Sequence, residues 1–220
     1  MDYPPVEVKV WGPFACITRP EAHVERVSYE CLTPSAARGI LEAIFWHAPM
    51  RWRVREVVVL NPVRHFSILR NEVKSKAGRG ADGISVSDDR TQRHTLGLKD
   101  VAYVIRADVW LPPGTTDADG RPVDEAKYRD QFRRRVERGQ CFHHPYLGCR
   151  EFACDFAPPD GTEQPHESLA GTIDLGRMLF DIDYGTGGNH ARFFEARLED
   201  GVLHVPPVLY ESAAEEGGAA

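Results

Sequence analysis

Val6, Val8 and Val10 alternate with Glu7, Lys9 and Trp11, the period of a half-buried strand, and Gly12 and Pro13 end it. Residues 13–32 are too mixed to assign. Thr33 then offers a helix cap with Pro34 at the first helical position, and the spacing predicts a helix to about residue 46. Ala36, Ile40, Ala43, Ile44 and His47 share one face of it, Leu41 and Phe45 a flanking one, and Pro49 closes it. Residues 51–60 set Arg51, Arg53 and Arg55 against Trp52 and Val54 before merging into Val57, Val58 and Val59; residues 63–76 also read as strand, and 77–83 as a glycine-rich loop. The clearest alternation is 101–111, with Val101, Tyr103, Ile105, Ala107, Val109 and Leu111 on one side.

A second helix starts at Asp124, whose carboxylate can cap it, and stops at Gly139. Tyr128, Phe132 and Val136 form its apolar stripe. Residues 149–156 are expected to return as a short strand. Two further alternating segments, 172–183 and 192–198, flank a glycine-rich hairpin turn at 185–189, and 202–205 adds a third strand. The order β, α, β with hairpin, β, α, β is the signature of a split βαβ, ferredoxin-like α+β fold, with helices on one side of an antiparallel sheet.

Composition narrows the class. At 220 residues and 42% hydrophobic content the chain can bury a core. No window approaches eighteen apolar residues, and the first ten residues show no basic segment followed by an apolar run, so a cytoplasmic protein without membrane contact is expected. Five scattered cysteines, an odd number, suit reduced thiols better than a disulfide framework. The net charge of −6 conceals an asymmetry: residues 151–220 hold fourteen acidic and three basic side chains, which leaves nineteen acidic and twenty-four basic of the 33 and 27 in residues 1–150. A body of about +5 beside a segment of −11 is the pattern of a polyanion binder.

Two stretches carry that positive charge. On the second helix Lys127, Gln131, Arg134, Arg135 and Arg138 fall on a face apart from the apolar stripe. Between 51 and 79 there are eight basic and two acidic residues, among them Arg51, Arg53, Arg64, Arg70, Lys74 and Lys76. A solvated helix face explains the first stretch equally well. Cys141, His143, His144, Cys149 and Cys154 are ligand-type residues within fourteen positions, but they lack the C-x2-C pair that chelates zinc from one turn, so neither metal nor other cofactor is expected.

Residues 25–52 (ERVSYECLTPSAARGILEAIFWHAPMRW), 61–73 (NPVRHFSILRNEV) and 133–152 (RRRVERGQCFHHPYLGCREF) resemble the Cas-five family of CRISPR-associated RAMP proteins, in its subtype I-C (Dvulg) branch. The resemblance implies a RAMP fold, with an RRM-like domain over 1–157, a small β-sheet domain over 158–209 and a disordered acidic tail over 210–220. It also implies a metal-independent endoribonuclease that cuts precursor CRISPR RNA in the repeat and remains on the 5′ handle within the interference complex. Repeat RNA, the backbone and large subunits, and target DNA in the assembled complex are the partners it implies.

In such a reaction the ribose 2′-OH attacks the adjacent phosphate, so a base, a cation and an acid are needed. The family's triad is a tyrosine at the end of the first helix and a Lys-His pair at the start of the second. The lysine lands on Lys127, the tyrosine on Phe45 and the histidine on Tyr128. Two of three positions depart from the pattern, which leaves Lys127, Tyr128 and His47 as candidate catalytic residues. His143 and His144 are weaker substitutes, and Phe45 is either core or a surface on which a base stacks. A subunit that binds the handle without cutting fits the same departures. A generic RRM-like binder is a third reading, against which stands the absence of an aromatic-glycine RNA-binding pattern in 101–111.

Overall fold

The computed structural model describes residues 3–22, 24–75, 85–117, 119–185 and 188–211. Lys76, the loop over 77–83 and the tail beyond residue 211 lie outside the described residues.

One mostly antiparallel sheet is organised by a 21-residue strand, β5 (Arg90–Trp110). Its second half pairs on one side with β1 (Val6–Ala15) and on the other with β3 (Arg51–Val59). Its first half pairs with β4 (His65–Val73) and, in parallel, with the short β2 (Arg26–Val27). The expected strand at 101–111 therefore begins eleven residues earlier. Thr91, Gln92, Arg93 and His94 are polar and open to solvent, so they carry no alternation a sequence reading can detect. β6 (Asp155–Ala157) borders β1, and the hairpin of β7 (Thr172–Gly185) and β8 (Gly188–Glu199) joins the sheet through β9 (Val202–His204), which pairs with β3.

Two helices cover one face. α1 (Pro34–Ile44) rests on β3 and β7, whereas α3 (Glu125–Glu137) rests on β1, β5 and β6; α2 (Val86–Asp89) is a single turn. Ile40, Leu41 and Ile44 of α1 and Tyr128, Phe132 and Val136 of α3 are buried with Val6, Val8 and Val10 of β1 and with the predicted inward set of β5. β3 keeps Trp52 and Val54 inside and then Val57 and Val59. That change of parity is accommodated by a bulge at Arg55, between the pairs Val54↔Ala107 and Glu56↔Arg106.

Several boundaries move. β1 continues through Gly12 and Pro13 to Ala15, and residues 13–32 hold a 3-10 turn (Pro20–Ala22) as well as β2. α1 ends at Ile44, not near residue 46, so His47 lies beyond the helix instead of on its face. The return strand expected at 149–156 shrinks to Asp155–Ala157, because residues 146–154 form a tight turn with Leu147 N–H donating to Phe152 O and Cys154 N–H to Pro145 O. Tyr210, the first residue of the expected tail, is packed against Phe180 and donates its hydroxyl to Val54 O (2.9 Å).

Gly148 makes that turn possible. Its φ is +85°, and a Cβ there would sit 2.1 Å from the Cys16 carbonyl oxygen. Gly139, which ends α3 at φ +61°, has open space around it. Gly139→Ala is expected to cost about 1–2 kcal/mol, the ordinary penalty for a left-handed alanine. Gly148→Ala should cost clearly more, because strain and a backbone clash add. Urea denaturation midpoints of the two variants check the ranking.

Candidate functional site

The last carbonyls of a helix have no partners of their own. At the end of α1 they are taken by three other parts of the chain. Phe142 N–H (2.8 Å) and His143 N–H (3.2 Å) donate to Ala43 O, the Arg135 guanidinium of α3 donates to Ile44 O (3.1 Å), and Trp52 Nε1–H of β3 donates to Phe45 O (2.9 Å). Arg135 also lies over the Phe45 ring, and Trp52 meets Phe132 edge-on at 4.8 Å. The segment after α1 is thus fixed against α3, and Phe45, Trp46 and His47 are delivered beside the helix's first turn.

There the three candidate catalytic residues come together. The ring centroids of His47 and Tyr128 are 5.6 Å apart, and Lys127 Nζ lies 5.9 Å from the Tyr128 ring. Phe45 completes the group at 6.3 Å from Tyr128. The environments differ. The Tyr128 side chain is 4% exposed, whereas Lys127 and His47 reach solvent. His47 Nδ1 is hydrogen-bonded to Ala48 O; a carbonyl only accepts, so Nδ1 carries a hydrogen, and in the neutral imidazole Nε2 is then the accepting nitrogen. Among the described residues no carboxylate lies within ion-pair distance of Lys127. Buried Phe45 has neither a hydroxyl nor an open ring face, so of its two expected roles it takes that of core and not that of a stacking surface; the adjacent Trp46 is 56% exposed.

The positive stretches divide in space. Arg51 and Arg53 begin β3, opposite Trp110 and Asp108 near one end of β5, while Arg70 lies on β4 at the other end and Lys74 directly follows that strand. Arg53 and Arg70 face positions of β5 fifteen residues apart, Asp108 and Arg93, a separation on the order of 40–50 Å along a strand. Arg70 is held by Glu72 (2.7 Å) and Glu151 (3.4 Å), and Arg64 faces Asp100 at 3.9 Å. Arg135 is committed to Ile44, and Arg134 donates to Asp130 O within its own helix. Among the described residues Arg51, Arg53, Lys74 and Arg138 have no carboxylate partner. No three His, Cys, Asp or Glu side chains among the described residues converge as a metal site, and no helix among them is long and apolar enough to cross a membrane.

One cluster escaped the sequence reading because its members are far apart in the chain. Arg26 Nη1 lies 3.4 Å from Cys149 Sγ and 3.1 Å from Glu151, while the Cys149 thiol also contacts Cys16 and Thr18. The hydrogen bond from the Cys16 thiol chiefly, then that from Thr18 and the Arg26 charge, bring the Cys149 thiol down to about 6 against the opposing effect of burial. Cys16 is pushed up by the same bond and by burial.

Comparison with known proteins agrees with the fold and the motifs. The family described as CRISPR-associated protein (Cas_Cas5), subtype Cas5d, matches residues 6–206. A Thermus thermophilus protein named CRISPR pre-crRNA endoribonuclease Cas5d is 46% identical, with 97% of each chain covered. Among solved structures, a CRISPR-associated protein superposes with a TM-score of 0.67 at 24% identity over 92% of this chain and 91% of that one. A chain of a CRISPR RNA-guided surveillance complex superposes at 0.52 and 11% identity over 93% and 92%. These likenesses share the RAMP, ferredoxin-like architecture.

Two outcomes follow from the site's geometry. Tyr128→Ala should destabilise the fold by about 3–5 kcal/mol, since it empties a buried aromatic position, while Tyr128→Phe should stay within about 1 kcal/mol; thermal or urea unfolding separates them. Because the Cys149 thiol is lowered, its thiolate is present above about pH 6. Its iodoacetamide labelling should rise through pH 6 and be nearly flat by pH 8, where an ordinary thiol is still rising; mass-spectrometric labelling rates, with Arg26→Gln shifting the curve upward, test it.

Proposed function

The chain belongs to the Cas5d family of CRISPR-associated proteins, and from that premise we propose that it is a metal-independent endoribonuclease that cuts precursor CRISPR RNA within the repeat. It then remains on the 5′ handle as a subunit of the type I-C interference complex, in the cytoplasm, beside the backbone and large subunits and within reach of target DNA. The observation that carries this reading is the 46% identity over 97% of both chains with a protein named a pre-crRNA endoribonuclease.

The cluster at the α1–α3 junction supplies the groups that such a cut needs. His47 Nε2 accepts the proton of the ribose 2′-OH as O2′ bonds to phosphorus. Lys127 Nζ offsets the charge that builds on the phosphate oxygens. The P–O5′ bond breaks, and the departing oxygen takes a proton from the Tyr128 hydroxyl, leaving a 2′,3′-cyclic phosphate and a 5′-hydroxyl. The work done by a tyrosine and a histidine in the family's triad is moved here onto His47 and Tyr128. Two observations favour the second reading, a handle-binding subunit that does not cut: Phe45 lacks a hydroxyl, and the Tyr128 ring is committed to the core.

Incubation of the purified protein with its own repeat RNA in EDTA decides between them. A single cut is expected, absent when the scissile nucleotide is 2′-deoxy. Lys127→Ala should slow it by about 10²–10³-fold and His47→Ala by about 10²–10⁴-fold. Tight binding without any cut by the wild type would establish the scaffold instead.

A further inference from the structure

A second feature opens next to this cluster. The end of α1, the start of β3, the end of β5 and the β7–β8 hairpin enclose a cleft of about 700 Å³, within the range of ligand-sized sites. Its walls present rings to solvent: Trp46 is 56% and Tyr184 73% exposed, and Trp110 lines the floor. Exposed rings gathered around one cleft, rather than scattered singly, mark a candidate interaction surface.

The charges are arranged for an anion. The guanidinium of Arg53 lies 4.6 Å and that of Arg51 5.9 Å from the Trp110 ring, and neither has a carboxylate partner among the described residues. Burial lowers Arg53 below the usual guanidinium range, against the opposing effects of Tyr210, Asp108 and Glu125, none of which forms an ion pair with it. The carboxylates that line the cleft are already engaged: Glu42 and Asp181 each lie 2.7 Å from Arg38, and Asp183 lies 3.8 Å from Arg192. An incoming phosphate therefore meets free arginines and spent acids.

Position links the cleft to the chemistry. Trp46 directly precedes His47, and Arg53 lies close enough to Glu125, two residues before Lys127, for the two charges to interact. Rings that alternate with arginines suit unpaired nucleotides, whose faces are free to stack, better than a duplex whose bases stack on one another. We propose that this cleft binds the single-stranded RNA adjoining the cut, with bases on Trp46 and Tyr184 and phosphates on Arg51 and Arg53. The inference rests on the RNA-processing reading above and assigns the strand a path.

The test is equilibrium binding of a short single-stranded RNA with the sequence that flanks the repeat stem, carrying 2-aminopurine and 2′-deoxy at the scissile position, in EDTA. Stacking should quench the 2-aminopurine. Trp46→Ala and Tyr184→Ala should each weaken binding about tenfold, as loss of one stacked base does, and Trp46→Phe should restore most of it. Arg53→Gln should reduce the slope of log affinity against log salt by about one. Both aromatic side chains are exposed, so their loss leaves the core intact, which circular dichroism verifies. Unchanged affinity and quenching in all three loss variants would overturn the assignment and leave the cleft to a protein partner. If the wild type fails to cut intact repeat RNA while the oligonucleotide still binds in the cleft, the nuclease reading falls and the strand path stands.

Discussion

The end of α1 is the constraint on which the site depends. Carbonyls that no helix can satisfy by itself are taken up by Arg135 from α3, Trp52 from β3 and the backbone of the 142–143 segment. A buried carbonyl left without a donor costs about 1–3 kcal/mol, so these bonds hold three separated parts of the chain in one arrangement. Arg38 adds a tie from α1 across to Asp181 of β7. With the helix end pinned on each side, the residues that follow it have little freedom, and His47 is held over Tyr128.

This explains the one dense motif in the chain without giving its cysteines and histidines a metal. In GQCFHHPYLGC the glycines end α3 and press the turn onto Cys16, and the backbone after Cys141 caps α1. The side chains of Phe142, His143 and His144 point to solvent. The motif acts through its backbone, as a brace between the two helices and β1.

Much of this was legible in the sequence. Thr33 and Asp124 do cap their helices, Gly139 does stop the second, and the stripe of Tyr128, Phe132 and Val136 is buried. What the sequence hid has physical causes. The first half of β5 is polar on both faces, so periodicity is silent there. Arg51 and Arg53 are near neighbours of Arg70 in the chain but pair with the opposite end of β5, so one apparent basic patch becomes two. Arg135 is indistinguishable in sequence from Arg134 and Arg138, yet only its guanidinium finds the α1 carbonyl. The Arg26, Cys16 and Cys149 contacts join residues more than a hundred positions apart, beyond any local pattern.

In the proposed function RNA lies at the α1–α3 junction, away from Arg70 on β4 and from Arg90 and Arg93 in the first half of β5. Photo-crosslinking tests that placement most directly, with repeat RNA bearing 4-thiouridine beside the scissile phosphate and cross-linked peptides mapped by mass spectrometry. Cross-links are expected within residues 42–53 and 124–138. Cross-links confined to residues 64–74 and 90–98 would contradict it.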